Sequence, residues 1–274
     1  MIMELYFILL AAGILSGILT ILFGFAGGFV VVPLVYSTIH FHEASDSLAY
    51  DMAFKSAVAT SLLLMVINSG LASYQQFTRG NIQRSYLFPI AYWIGVGAVI
   101  GTFISLHIAA FYLKWAFVAY LSITILDCLS RQLKSQQTQQ ISQRGLNSKE
   151  QHLGGICIGI VAAALGVGGS VMTVPLFRRC GLDMSGAVAL ANPLSMPVAL
   201  AGCLTLIISQ WIQPPHLGIH FWGYFYYPAL ICLILGGFIG MKITLNLSGK
   251  LSNTVHERGY IVLLTLVLLS ILLT

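Results

Sequence analysis

The residue types best suited to chemistry in this chain are glycines, arranged in two stretches that keep step with one another. The first reads Gly13-x-x-x-Gly17, then Gly24-Phe-Ala-Gly27-Gly28-Phe-Val-Val-Val-Pro33-Leu34; the second reads Gly155-x-x-x-Gly159, then Gly166-Val-Gly168-Gly169-Ser170-Val-Met-Thr-Val-Pro175-Leu176. Gly155, Gly159, Gly166, Gly169 and Pro175 follow Gly13, Gly17, Gly24, Gly27 and Pro33 by the same 142 positions. An ungapped register of that length marks an internal duplication. A helix restarting after such a break, between Gly28 and Pro33 or between Ser170 and Pro175, presents free N–H groups and about half a positive charge. Two such ends facing each other suit an anion and need no buried lysine or arginine. The candidate binding residues are therefore Gly24, Gly27, Gly28, Gly166, Gly168, Gly169 and Ser170. The competing reading, glycines that only let helices pack closely, fits Gly13/Gly17, Gly155/Gly159, Gly97/Gly101 and Gly236/Gly240, which sit in uninterrupted apolar runs.

Neutral donors follow each stretch. Thr60 and Ser61 come after Ala57-Val-Ala59, and the matching Ala187-Val-Ala189 leads to Asn192. Their hydroxyls and amide either assist the same anion or bond back to their own helix. Asn68, Asp127 and Lys242 are the other polar groups near spans, and the last two are expected to reach for helix ends. The seven histidines lie in or near loops with no HExxH spacing, so no metal site is expected. The five cysteines include no CxxC pair and read as reduced packing residues. With no GxSxG, no Walker lysine motif and no paired carboxylates at depth, neither an intramembrane hydrolase nor an ATP-driven pump is indicated, and no cofactor is expected.

These groups must be positioned by membrane-spanning elements. The chain is 58% hydrophobic and 8% charged, far from the roughly 25% charged usage of soluble domains, so a polytopic membrane protein in contact with the bilayer is predicted. Apolar windows long enough to span recur throughout, which favours one integral domain over residues 1–274. The start, Met-Ile-Met-Glu-Leu-Tyr, lacks the basic region of a cleaved signal, so the first apolar segment is expected to be retained. The net charge of +5 reads as topology rather than nucleic-acid binding. Predicted spans cover about 53–74, 86–106, 111–129, 185–210, 224–245 and 259–273, with broken stretches at 5–36 and 153–177. Residues 131–152, rich in Gln and Ser, read as a linker between a first repeat, 1–130, and a second, 153–274.

Charge chooses between two topologies. If each broken stretch enters and leaves on one face, the linker face collects eleven of the thirteen basic residues and leaves only Lys55 and Lys114 opposite; a single crossing gives no bias. The positive-inside rule favours the first, with a cytoplasmic linker. A hairpin plus three spans crosses an odd number of times, so the second copy is inverted. The predicted fold is thus all-α and polytopic, with two inverted repeats, each a re-entrant hairpin plus three transmembrane helices, as in secondary transporters. Backbone turns at membrane depth survive only against protein or a wet cavity, so both turns should line an interior site.

The doubled stretch ending in Pro-Leu, the Ala57-Val-Ala-Thr-Ser61 that follows, and the Arg79-Gly-Asn-Ile82 loop ahead of Gly97-x-x-x-Gly101 resemble the TauE/SafE family of sulfite-exporter-like transporters. The resemblance spans nearly the whole chain. It implies a carrier of sulfite or related sulfur-containing or organic anions, without enzymatic activity, in a bacterial inner membrane; a facilitative channel, and behind it a membrane enzyme or assembly factor, are the alternatives. Partners are the small anion and the bilayer, no nucleic acid, with a homo-oligomer left open. The chain departs from the family pattern at Ala26, where the second copy has Gly168, and at Ala191-Asn192, where Thr-Ser is common.

Overall fold

Glycine determines where the first apolar run stops being one helix. In the computed structural model, which describes residues 2–80, 82, 84–134, 144–245 and 253–273, α1 (Ile2–Phe23) gives way to α2 (Gly28–His42) through a turn with Ala26 and Gly27 at φ 51° and 85°. A short α3 (Leu48–Asp51) precedes α4 (Ala53–Thr78), α5 (Arg84–His107) and α6 (Ala110–Lys134). The second half opens with a π-helical turn (Glu150–Gly154) that runs into α7 (Gly155–Leu165), and the chain breaks again before α8 (Ser170–Arg179). Next come α9 (Met184–Ile212), a two-stranded ribbon of β1 (Phe221–Trp222) and β2 (Phe225–Tyr226), α10 (Tyr227–Thr244) and α11 (Asn253–Leu273).

The all-α membrane character follows directly. Among the described residues, six helices are long and apolar enough to cross a bilayer: α1, α4, α5, α6, α9 and α10. Large apolar side chains such as Phe88, Phe103, Ile123, Leu204 and Leu235 are exposed on their outer surfaces, where lipid rather than water is the compatible solvent. The small ribbon, turning at Gly223 (φ 61°), has no counterpart among the predicted elements. Residues 37–51 with His40, His42, Glu43, Asp46 and Asp51 read from the sequence as a polar loop, but His40 and His42 belong to the last turn of α2, which ends before Glu43. Residues 135–143, the middle of the expected linker, and 246–252 with Lys250 lie outside the described residues. The end of that linker is anchored: Arg144 donates its N–H to Cys180 O at 3.0 Å, and its carbonyl accepts from Tyr86 Oη at 2.9 Å.

The packing glycines fix which helices touch. A Cβ on Gly17 would strike the Gly237 carbonyl, and one on Gly240 the Ile14 carbonyl, so α1 lies flush against α10. In the same way Gly97 and Gly101 close on the Ile156 and Ile160 carbonyls, and Gly159 on Ile94, joining α5 to α7. Both are small-residue interfaces that gain van der Waals contact by bringing backbones together. Numbers rise together along each pair, so α1 runs parallel to α10 and α5 to α7. By contrast Leu62 meets Gly202 and Gly70 meets Met196, so α4 and α9 run antiparallel through the centre. Gly28 lies at Met65 and Tyr36 at Phe54, so α2 returns antiparallel to α4.

Candidate functional site

The tips of the two broken stretches meet in the interior. A Cβ on Gly28 would sit 2.6 Å from both the Gly166 carbonyl and Met65 Sδ, and one on Gly168 would sit 3.0 Å from Met65 Cε and 3.2 Å from Ser195 Oγ. Met65 of α4, fully buried, is thus wedged between the turns. Beside it Ser61 Oγ lies 2.7 Å from Gly166 O and 3.2 Å from Gly28 O, one hydroxyl shared by both tips. The first turns of α2 and α8, with N–H groups that have no acceptor inside their own helices, therefore start within one buried cluster.

The two ends differ in how much room they leave. At the α2 end a Cβ on Gly27 would collide with Ser16 Oγ and come within 2.6 Å of Asn68 Nδ2, and Ser16 Oγ lies 3.4 Å from Gly27 O and from Asn68 Nδ2. At the α8 end Gly169, at φ −71°, has nothing nearer than 3.4 Å to such a Cβ. Ser170, the first helical residue there, is completely buried and its hydroxyl has no partner. A buried unpaired hydroxyl beside free amides is a donor set that an oxyanion satisfies.

Not every sequence candidate sits in this cluster. Gly27, Gly28, Ser61, Gly166, Gly168, Gly169 and Ser170 are brought together. Thr60 faces the other way: its Oγ1 donates to Ser56 O at 2.8 Å and accepts the Tyr226 N–H at 2.9 Å, holding the start of α10. Gly24 abuts Ala191 and Val188, and Asn192 Nδ2 donates to Thr20 O at 3.0 Å, which ties both to the end of α1. Sequence reasoning singles out neither Ser16, Met65 nor Ser195, and leaves Asn68 without a role. Asn68, an amide buried in mid-span, carries the one usable signal; nothing in the sequence marks Met65.

Comparison with known proteins agrees with this architecture. The family model described as Sulfite exporter TauE/SafE matches residues 9–271. A protein named "Probable membrane transporter protein" from Haemophilus influenzae is 26% identical over 273 residues, covering 96% of this chain and 97% of its own. Another of that name from Methanocaldococcus jannaschii is 23% identical over 204 residues, covering 74% and 73%. No solved structure matches the chain. With the buried helix ends, the six spans and a family match across almost its full length, this membrane transporter belongs to the sulfite exporter TauE/SafE family.

Proposed function

We propose that the chain is a secondary transporter that moves a small oxyanion, sulfite or another sulfur-containing anion, out of the cytoplasm. The observation that carries this reading is the buried meeting of two helix N-termini, α2 and α8, around Ser61 and Met65 with Ser170 Oγ unpaired. Among the described residues no lysine or arginine is buried, so compensation for a charge at depth falls to amides and hydroxyls. Several oxygens on a compact oxyanion can each accept such a bond and its charge matches the positive helix ends, whereas a cation accepts none and a sugar carries no charge. A negative-inside membrane potential by itself drives an anion outward.

The transport cycle we envisage uses two inverted repeats, residues 1–130 and 153–274, joined by a cytoplasmic linker. The reciprocal pairing of α1 with α10 and α7 with α5, together with antiparallel α4 and α9, supports that arrangement. Complete burial of Ser61, Met65 and Ser170 supports an occluded site that opens to either side by rocking the α1–α10 pair, with the first hairpin, against the α5–α7 pair, with the second. The test is flux of labelled sulfite, sulfoacetate and sulfate into proteoliposomes with the potential clamped. Saturable flux of one of them, abolished by Gly169→Val, is expected; flux of none above empty vesicles overturns the oxyanion assignment.

A further inference from the structure

The helix that carries Ser61 and Met65 continues past the tips toward the linker face, and its chemistry changes there. From Met65, wedged between the turns, the residues four, eight and eleven positions further on are Ser69, Ser73 and Gln76. Steps of four and three residues stack side chains on one face of a helix, so these form one line down α4. The line covers eleven residues, about 17 Å at 1.5 Å each, which is close to half of a ~30 Å hydrocarbon core. It ends at the linker face, because α5 begins just beyond it and Tyr86 Oη there donates to Arg144 O at 2.9 Å.

Followed the other way from Met65, the same face of α4 reads Ser61, Val58 and Phe54. Rings close that end: Tyr36 to Phe54 at 5.8 Å, Phe54 to Phe117 at 6.1 Å, Phe117 to Phe29 at 6.2 Å. The internal repeat repeats the contrast. Ala57-Val-Ala59 recurs as Ala187-Val-Ala189, 130 positions later, and that offset carries Met65 to Ser195, which stands at the tip of Gly168. It carries Ser69, Ser73 and Gln76 to Ala199, Cys203 and Leu206. Close packing is served by the apolar set, as α9 demonstrates, so the hydroxyls of α4 answer another demand.

Ser69 is fully buried and Ser73 is 5% exposed, yet among the described residues neither hydroxyl has a partner, not even the carbonyl four residues back. Both lie between two packed flanks. On one side Ala72 clusters with Ile21 of α1 and Met241 of α10; on the other Gly70 faces Met196 of α9. One turn from Met196 toward the linker face is Asn192, at the depth of Ser73. Its Nδ2 donates to Thr20 O at 3.0 Å. A carbonyl only accepts, which fixes the orientation of the amide and leaves Oδ1 buried without a donor. Two hydroxyls and a lone acceptor at neighbouring depths suit water, which both donates and accepts, better than a fixed ion of either sign.

We propose that Ser69 and Ser73 of α4, with Asn192 of α9, line a wetted half-path along which the anion passes between the tips and the linker face. The inference rests on the transport function proposed above and adds which helix face the anion follows, and on which side. Because α9 packs on α5, with Gly95 against Pro197 and Gly202 against Thr102, the seam lies where the α1–α10 and α5–α7 pairs of that cycle part. Opening it toward the linker hydrates the two serines and Asn192. Opening the other end of the same α4 face wets Val58 and Phe54, which gain nothing from water.

The test is sided labelling. The full chain carrying Ser69→Cys or Ser73→Cys, each close in size to the native residue, is placed in vesicles of known orientation. Sulfonatoethyl methanethiosulfonate, a membrane-impermeant anion, is offered to one face at a time. Both thiols should react at least tenfold faster from the linker face than from the opposite one, above the background of the five native cysteines. Leu64→Cys, equally buried but off the line, should label no faster than the parent chain. Labelling that is absent, equal from both faces, or no faster than at Leu64→Cys overturns the half-path. A second reading needs no thiol: the double variant Ser69→Ala with Ser73→Ala loses only unpaired hydroxyls, so it should unfold no more readily than the native chain yet lower anion flux at least fivefold. Unaltered flux in that variant overturns the proposal as well. The two proposals fail separately: sided labelling without flux of sulfite, sulfoacetate or sulfate removes the cargo and keeps the path, whereas flux with labelling equal from both faces does the reverse.

Discussion

Gly169→Ala is the substitution that most sharply separates binding from folding. The new Cβ would lie 3.4 Å from Ile158 Cγ2, 3.7 Å from Leu194 O and 3.8 Å from Thr173 Cγ2, all ordinary contacts, and the backbone at φ −71° accepts alanine. Loss of a glycine at the helix cap costs about 0.5–1 kcal/mol, and the stiffer unfolded chain returns about 0.4–1 kcal/mol. Folding stability should therefore stay within about 0.5 kcal/mol of the native value. An anion approaching the α8 amides meets the methyl group instead and loses one charge-assisted bond, worth about 1.5–3 kcal/mol, so affinity should fall roughly ten- to hundredfold. The control is Gly28→Ala, whose Cβ would press on the Gly166 carbonyl at 2.6 Å. Overpacking of that kind costs about 1–3 kcal/mol, so this variant should lose stability before it loses anything else. Thermal unfolding in detergent and proteoliposome flux are measured side by side. Native half-saturation in stable Gly169→Ala protein would refute anion contact with the α8 amides.

Three further expectations are open to direct measurement. Gly240→Ala and Gly159→Ala push a methyl into the Ile14 and Ile94 carbonyls, so each should lower unfolding stability by about 3 kcal/mol or more and reduce the yield of monodisperse protein. In the turns, Gly168→Ala adds a left-handed alanine that costs about 1–2 kcal/mol, whereas Ala26→Gly removes that cost but gives up methyl burial and unfolded-state order of similar size; the first should destabilise clearly and the second hardly at all in a denaturation series. At the linker end, the bidentate Arg144 pair and the Asn147 N–H hold the Glu150 carboxyl down at about 2. Its folded value lies below its unfolded one, so its contribution is full above the ordinary carboxylate range and is lost as pH falls from about 4.5 through about 2. For so exposed a pair that contribution is small, and Glu150→Gln should erase it at pH 7 and make progressively less difference as pH falls through 2.

The helix breaks can be read from the sequence because glycine and the chain register act locally. Gly27 and Gly168 declare a turn wherever the chain goes, and the offset of 142 positions finds each stretch in its counterpart's place. Even Ala26, the departure from the repeat, takes the left-handed φ of 51° that Gly168 takes at 71°, so the backbone keeps the turn against the side chain's preference. Partner choice is not legible, since it depends on which helix faces which. Thr60 and Asn192 have the right chemistry for an anion, yet the neighbours that reach them are Tyr226 N–H and Thr20 O, from elements 166 and 172 residues away. Met65 reads as an ordinary apolar residue of a span, and only the convergence of the two tips on α4 gives it a position of consequence.

Ser61 connects these levels. A serine hydroxyl has one proton to donate, and here two carbonyls stand in range, Gly166 O of one hairpin at 2.7 Å and Gly28 O of the other at 3.2 Å. At these distances the better bond goes to Gly166, so the proton favours the second hairpin while Gly28 O is the looser partner. Both carbonyls lie in the two turns that meet here, so at the proposed site an anion would approach the same tips that the Ser61 proton holds together. Separating the tips costs one neutral hydrogen bond, about 0.5–1.5 kcal/mol net, plus the Met65 contacts. That is small beside the several kcal/mol that each unpaired backbone group costs in lipid, so the tips can part from each other while each hairpin stays sealed against its own neighbours. In the proposed cycle the tight glycine seams of α1 with α10 and α5 with α7 would be the rigid units, and the Ser61 contact between the hairpins is where parting them costs least.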